Sequence, residues 1–522
     1  MSDVEHFAKV LGRQEDTENE GTENEGTDND AFDMLRLGKI QVLKRNFHPG
    51  SVLGLATSVS STWISYLTSS GFILIDGGRA GAVWMYVISW GCMGCVAASM
   101  AEMASMAPTS GGQYHWVSEF SPPAIQAPLS YVTGWLAALA WQAFVASAAF
   151  PTGSLILIAA TGNGYVPAPW QGTLMMMAIG LLTFCIVGFG THRLPLLEGV
   201  ILMLFVFGFF GVLIPLWVLA PMAPAREVFT EFRNFGGWPT VGVACIVGQI
   251  ASVGAFVGVD SPVHMAEEVR NASLTVPRMM MASICLNGLM GLVMIITYCF
   301  AIQDVQAQVV ESTAVFPFMG VFEVAVGSRG GAIGMTVPII ILSFCICLSS
   351  MATTSRQAWS FARDNGLPFP RWFTKITRIN GTPTPLNSVT ASCLMTFAFA
   401  LLNLGGTEVF DSIYGVGEGA ALLTYAISIG CVLWRRLFGK PLPPARWSLG
   451  KLGPFFNAFS VLFLLFVFVM DFFPLATPVT AQTMNWGIAF FGGVALLSTL
   501  NYFIHARKVF KGPVVTVQDV SA

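Results

Sequence analysis

Apolar residues in this chain come in long runs, not in the alternation of a half-buried strand or the single stripe of a surface helix. A bilayer-crossing helix needs about 20 such residues. Twelve runs qualify, with approximate limits 51–75, 81–106, 126–150, 170–190, 195–220, 240–265, 279–303, 330–355, 384–404, 408–433, 455–474 and 484–506. Two of them are interrupted. The first, SVLGLATSVSSTWISYLTSSGFILI, carries seven Ser or Thr between Thr57 and Thr68. The sixth holds GQIASVGAFVGVDSPVHMAEEVRN (248–271), where Gly254, Gly258 and Pro262 weaken a helix and Asp260 adds a carboxylate. Charge at that depth is expensive. Breaks at matching places in two inverted repeats of five spans point to a central solute site. Irregular backbone is tolerated there because it lines a cavity.

Composition agrees with this pattern. Of 522 residues, 54% are hydrophobic and only 11% charged, against about 25% charged in a soluble domain. The net charge of −3 is unevenly spread, since eleven of the 29 acids fall in the first 33 residues, around TENEGTENEGTDND. Such a segment buries too little apolar surface to fold alone. The expected organisation is a disordered acidic cytoplasmic tail (1–45), a transmembrane domain (46–510) and a short cytoplasmic C-terminal tail (511–522). An even number of spans puts both termini on one side, and 22 of the 26 Lys and Arg fall on that side. The positive-inside rule makes it cytoplasmic. No cleavable signal precedes the first apolar run, which starts near residue 51. The ten cysteines lie mostly inside apolar runs, and Cys92-x-x-Cys95 has no second pair, so they read as packing residues, not ligands.

Three stretches, SMAEMASMAPTSGGQYHWVSEFSP (99–122), GVDSPVHMAEEVRNASLTVPR (258–278) and RQAWSFARDNGLPFPRW (356–372), resemble the amino acid–polyamine–organocation superfamily. They are most similar to its fungal amino acid/choline branch, which includes GABA and choline permeases. The resemblance covers roughly residues 45–510. It implies an all-α polytopic protein of 12 transmembrane helices, built as a five-plus-five inverted repeat (LeuT-type) with broken helices 1 and 6, plus two peripheral spans. It also implies alternating access, usually coupled to protons. One departure is Glu418 in VFDSIYGVGEGAALLTYAISI, where the branch usually has small hydroxyl residues.

Candidate substrate-binding residues follow from both sources. In span 1, Ser58, Ser60, Ser61 and Thr62 offer hydroxyls and freed backbone groups, and Trp63 offers a ring face to a quaternary ammonium. The bland alternative is that these hydroxyls satisfy neighbouring helices. In span 6, Phe256 is a candidate aromatic gate, Gly258 lets the backbone open, and Asp260 can pair with an amine or carry a proton. A carboxylate that merely caps a helix end or pairs with His264 is the competing view. Trp141 and Gln142 of span 3 are candidate site walls, and Glu418 of span 10 is a candidate partner for an ammonium or a proton. Asp260 and Glu418 are the expected coupling-proton groups, with Ser349 and Thr353 of span 8 as the alternative ion position. Gly111, Gly112, Gln113 and Tyr114, with Glu267 and Glu268, are assigned to an inner gate. His264-Met-Ala-Glu267-Glu268 lacks the H-E-x-x-H spacing of a zinc site. No metal, cofactor or nucleic acid is expected.

These readings converge on a permease that moves a small amino acid or amine such as GABA or choline, with protons as coupling ion and the lipid bilayer as surroundings. The plasma membrane is preferred to the vacuole. A non-transporting nutrient sensor of the same fold is the main alternative. An enzyme is disfavoured because no nucleophile–base or metal set converges.

Overall fold

The computed structural model describes residues 28–161, 167–312, 314–405, 407–474, 476–480, 484–510 and 512–513. Among them, ten helical segments are each long and apolar enough to cross a membrane. The two interrupted runs supply the rest as helix pairs. Span 1 is Pro49–Ser60 followed by Thr62–Ile75, and span 6 is Val241–Gly254 followed by Ser261–His264. Spans 2 to 5 are Gly78–Met106, Gln126–Thr161, Pro169–Phe189 and Leu194–Leu219. Spans 7 to 9 are Ala272–Ala301, Arg329–Arg363 and Leu386–Leu402. Spans 10 to 12 are Thr407–Phe438, Gly453–Met470 and Gly487–Ile504. The protein is thus an all-α, twelve-span bundle with broken helices 1 and 6. The described strands form only two short ribbons, 76–77 with 233–234 and 377–379 with 382–384.

Two spans outrun their apolar segments. Span 3 continues to Thr161 through Pro151, and span 8 continues to Arg363. The polar end of span 8 remains helical and buried because its arginines find carboxylates: Arg356 pairs with Glu268 and Arg363 with Glu267. Spans 1, 2, 5, 6, 7, 8 and 10 contribute to one continuous apolar core. Spans 11 and 12 lie at its edge, joined to it through Leu464, Val467 and Phe491, and Leu462, Phe466, Leu497 and Ile504 are among their exposed apolar side chains. Backbone groups inside the helices are satisfied within each helix, so such an apolar exterior suits lipid.

The expectation of disorder to residue 45 does not hold for residues 28–45; residues 1–27, 511 and 514–522 lie outside the described residues. Asp28–Arg36 is a helix, and the segment after it lies across the end of the bundle that carries both termini. Asp30 accepts from the amides of Asn271 (2.7 Å) and Ala272 (2.9 Å) at the start of span 7. A carboxylate at a helix N-terminus satisfies orphan amides and meets the favourable end of the dipole. Arg45 lies 3.3 Å from Asp30 and donates to the carbonyls of Ala266 (3.0 Å) and Val269. Phe47 bridges Val269 in parallel. Partners from elsewhere in the fold order acids that look surplus in the sequence.

Candidate functional site

The break in span 1 is a single residue. Ser61 sits in the left-handed region (φ 35°, ψ 50°), while the chain is helical on both sides. Its amide still donates to Thr57 O at 2.8 Å, and its hydroxyl donates to Ser58 O at 2.6 Å. The next amide, Thr62 N, leaves the helical ladder and donates to the side-chain oxygen of Asn287 in span 7 at 3.1 Å. The Thr62 hydroxyl donates to Asn287 O at 2.5 Å, and the Asn287 amide nitrogen donates to Ser283 Oγ at 3.1 Å. Asn287 was not among the expected site residues, although a lone amide inside the run ASICLNGLMGLVM is a visible signal.

The break in span 6 is longer, from Ala255 to Asp260. Gly258 has φ +89°, which a side chain would oppose, and a Cβ there would lie 2.7 Å from Val59 Cγ1. The two breaks therefore touch. Tyr425 of span 10 bridges the second one: its hydroxyl accepts from Gly258 N (3.3 Å) and donates to Asp260 Oδ1 in a short hydrogen bond. Gln113 Nε2 donates to Asp260 Oδ2 at 2.5 Å, and His264 Nε2 lies 3.4 Å from the same oxygen. With His264 Nδ1 donating to Ser110 O (3.0 Å), a neutral ring turns the Nε2 lone pair toward Asp260 and a charged ring turns an N–H. Trp141 meets His264 edge-on at 5.2 Å, and Phe256 packs on Tyr86 at 5.2 Å.

Several buried polar atoms along these breaks have no hydrogen-bond partner among the described residues: Thr57 Oγ1, Ser60 Oγ, Ser261 Oγ and Glu418 Oε1. An unsatisfied buried group costs roughly 1–3 kcal/mol, so a polar solute would relieve real strain there. Glu418 is buried beside the span 6 break, with Oε2 and the Tyr414 hydroxyl each 2.6 Å from where a Cβ on Gly254 would stand. Asp471 is its electrostatic neighbour, also buried, with Oδ2 unpartnered and 2.5 Å from a Cβ position on Gly419. No described ion pair involves Glu418 or Asp471 among the described residues.

Other expected residues lie elsewhere. Trp63 is wedged between Phe205 and Phe209 of span 5, each 6.0 Å away. Gln142 donates to Ser392 of span 9 at 3.1 Å. Ser349 stands within 3.1 Å of Ser58 Oγ, and within 2.9 and 3.0 Å of the two carboxylate oxygens of Glu198 in span 5. The Thr353 hydroxyl is turned back onto Ser349 O at 2.9 Å. Glu198 was not anticipated, yet it is the one acid in LPLLEGVILMLFVFGFFGVLIPLWVL.

At the terminus-bearing end the expected gate residues form one network. Helix Gln113–Phe120 follows Gly111 and Gly112, and a Cβ on Gly112 would strike His264 Cε1 at 2.7 Å. Tyr114 bonds Ser360 Oγ and Asp364 Oδ2, both at 3.0 Å, and Lys39 pairs with Asp364. Arg363 grips Glu267 with two bonds of 2.8 and 2.7 Å, and Ser110 N donates to it at 3.3 Å. Glu268 takes Arg356 Nε at 2.7 Å. Burial opposes ionisation of Glu267, but Arg363, together with Lys39 and the Ser110 amide, holds the carboxyl below the usual range. Asp364 behaves likewise, with Lys39 the main counterweight to burial. Burial, and then Lys39, push His115 down to about 3, so that ring is neutral.

A family model described as Amino acid permease matches residues 50–495. An uncharacterized amino-acid permease of Schizosaccharomyces pombe is 29% identical over 93% of this chain and 89% of its own length. The choline transporter of Saccharomyces cerevisiae is 28% identical over 90% of this chain and 83% of its own. Amino-acid permease BAT1 of Arabidopsis thaliana is 28% identical over 92% and 95%. Among solved structures, a manganese transporter of Eremococcus coleocola superposes with a TM-score of 0.55 at 12% identity, covering 91% of this chain and 94% of that one. At that identity the likeness concerns the fold.

Proposed function

The chain belongs to the amino acid permease family and is a membrane transporter; from that premise we propose that it is a secondary active permease for a small amino acid or amine, of the size and charge of GABA or choline. It works by alternating access, with protons as the coupling ion. The plasma membrane is the preferred location, with both termini cytoplasmic, so the network of Glu267, Glu268, Arg356 and Arg363 is the inner gate. The observation that carries this reading is the contact between the two helix breaks, flanked by unpartnered buried hydroxyls and by Asp260 and Glu418. A carboxylate without a protein cation, set among apolar residues, is stabilised by an ammonium group or a proton. Glu418 therefore favours a solute bearing an amine. The resemblance of the chain to a choline transporter agrees in chemistry.

The test is uptake by a transport-deficient fungal host given labelled GABA, choline, neutral amino acids and polyamines. At least one amine-bearing solute should accumulate above its outside concentration, and a protonophore should abolish the excess. Expression at the surface with no accumulation of any of them would remove the transport reading and favour a sensor. Accumulation that strictly needs sodium would overturn the proton assignment.

A further inference from the structure

We infer that the coupling proton rides on Glu198, in a hydrogen-bonded chain Glu198–Ser349–Ser58 that joins spans 5, 8 and 1; this rests on the transport reading above. Glu198 is completely buried, in the second turn of span 5. Its two oxygens share a single described donor, the hydroxyl of Ser349 at 2.9 and 3.0 Å. One hydroxyl is a poor replacement for the hydration of a carboxylate. The remaining way to settle the group is to add a proton or a cation.

Among the described residues, the surroundings offer no permanent cation. The inner half of span 1 (Pro49–Ser60) has no titratable side chain. Span 8 presents the Cys345 thiol, while its Arg356 and Arg363 are bound to Glu268 and Glu267. Arg278, Cys285, Tyr298 and Cys299 of span 7 make no described hydrogen bond or ion pair with Glu198. His192 and Arg193 in the preceding turn are exposed. Asp260, by contrast, already accepts hydrogen bonds from Tyr425 and Gln113, with His264 Nε2 3.4 Å away.

The hydrogen inventory gives the chain two states. Protonated, Glu198 donates to Ser349, which donates to Ser58. Ionised, the direction reverses: Ser58 donates to Ser349, and Ser349 to Glu198. One proton is gained or lost at a carboxylate oxygen, and no other bond changes. Span 1 is tied to this group through Ser58, only three residues before the break at Ser61. A Cβ on Gly54 would lie 2.0 Å from Glu198 O, so spans 1 and 5 also press backbone to backbone here. Movement of span 1 away from spans 5 and 8 breaks the chain and opens the carboxyl to water on one side.

Two measurements test this. In purified protein, infrared spectroscopy should show a protonated-carboxyl band that titrates with pH and is absent from Glu198→Gln. An identical band in that variant overturns the inference, and this readout needs no substrate. In vesicles, with the solute found in the uptake panel, Glu198→Gln should keep exchange of internal for external solute. It should lose at least about tenfold of the accumulation driven by a pH gradient. Retained accumulation, or loss of exchange and accumulation together, overturns it. Should the variant fail to insert, Glu198→Asp keeps the acid and displaces it; the pH of half-maximal accumulation should then move, and an unchanged profile overturns the inference. If the wild-type protein accumulates nothing, the transport reading fails, while the infrared band still decides the protonation of Glu198.

Discussion

The two helix breaks solve the same problem in different ways. In span 1 the freed amide of Thr62 is held by Asn287, and Asn287 is itself fixed by Ser283 on its own helix. The amide freed by this break is held by one neighbour, span 7, and none of Gly111 to Tyr114, Glu267 and Glu268 contributes to it. In span 6 the backbone and Asp260 are held by Tyr425 from span 10 and by Gln113 from the helix that follows the gate glycines. If these residues form the proposed inner gate, its opening moves Gln113 and strips a partner from Asp260. A bent helix in a membrane can thus be a rigid joint or a linked one, and the origin of its hydrogen-bond partners separates the two cases.

The largest effect should come from Gly258→Leu. A side chain at φ +89°, 2.7 Å from Val59, cannot be placed without moving one break off the other. Uptake should be lost while membrane insertion persists; normal uptake in a well-expressed variant would remove span 6 from the site. Asn287→Ala probes the rigid joint. It leaves Thr62 N without its acceptor, at a cost of about 2 kcal/mol. The thermal midpoint of the purified protein should fall by several degrees, and an unchanged midpoint would mean that Asn287 does not hold the break.

Glu418→Gln is milder, since it preserves size and hydrogen bonding but removes the charge. Expression should be intact and uptake of an amine should fall about tenfold, equivalent to ~1.4 kcal/mol. Unchanged affinity, rate and pH dependence would show that Glu418 only lines the cavity. The smallest effect concerns acid. Glu267 and Asp364 have depressed values, so their contribution to the closed gate is present above the ordinary carboxylate range and fades as pH falls through the lowered values. Hydrogen exchange in residues 108–121 should therefore be insensitive to pH between neutral and mildly acidic conditions, once corrected for intrinsic rates, and rise only below the usual carboxylate range. A rise that begins near neutrality would place control of the gate elsewhere.

Much of the fold was legible beforehand. Twelve apolar runs became the twelve spans, and the two runs marked by hydroxyls or by Gly and Asp are the ones that break. Gly111 to Tyr114 and Glu267–Glu268, proposed as the inner gate, were readable as a set because they stand where apolar runs end, and the structure brings them to one end of the bundle. The tail was misjudged between 28 and 45, since local composition does not reveal that Asp30 has a helix terminus and Arg45 to bind. Glu198 and Asn287 were passed over. Each is one polar residue in a run whose mean hydropathy hides it.

Hydrophobicity and helix-breaking chemistry are local, so the sequence by itself determined where the chain crosses the membrane, where two crossings fail, and which residues are free to carry charge. Partnership is not local. Asn287 reaches Thr62 across 225 residues, Tyr425 reaches Asp260 across 165, and Ser349 reaches Glu198 across 151. Which side chain meets which depends on the rotation of each helix about its axis, and a run that is apolar all round does not encode that rotation. Only the packed bundle decided that Trp63 turns to span 5, that Asp260 has its partners already, and that Glu198 and Glu418 lack a cation.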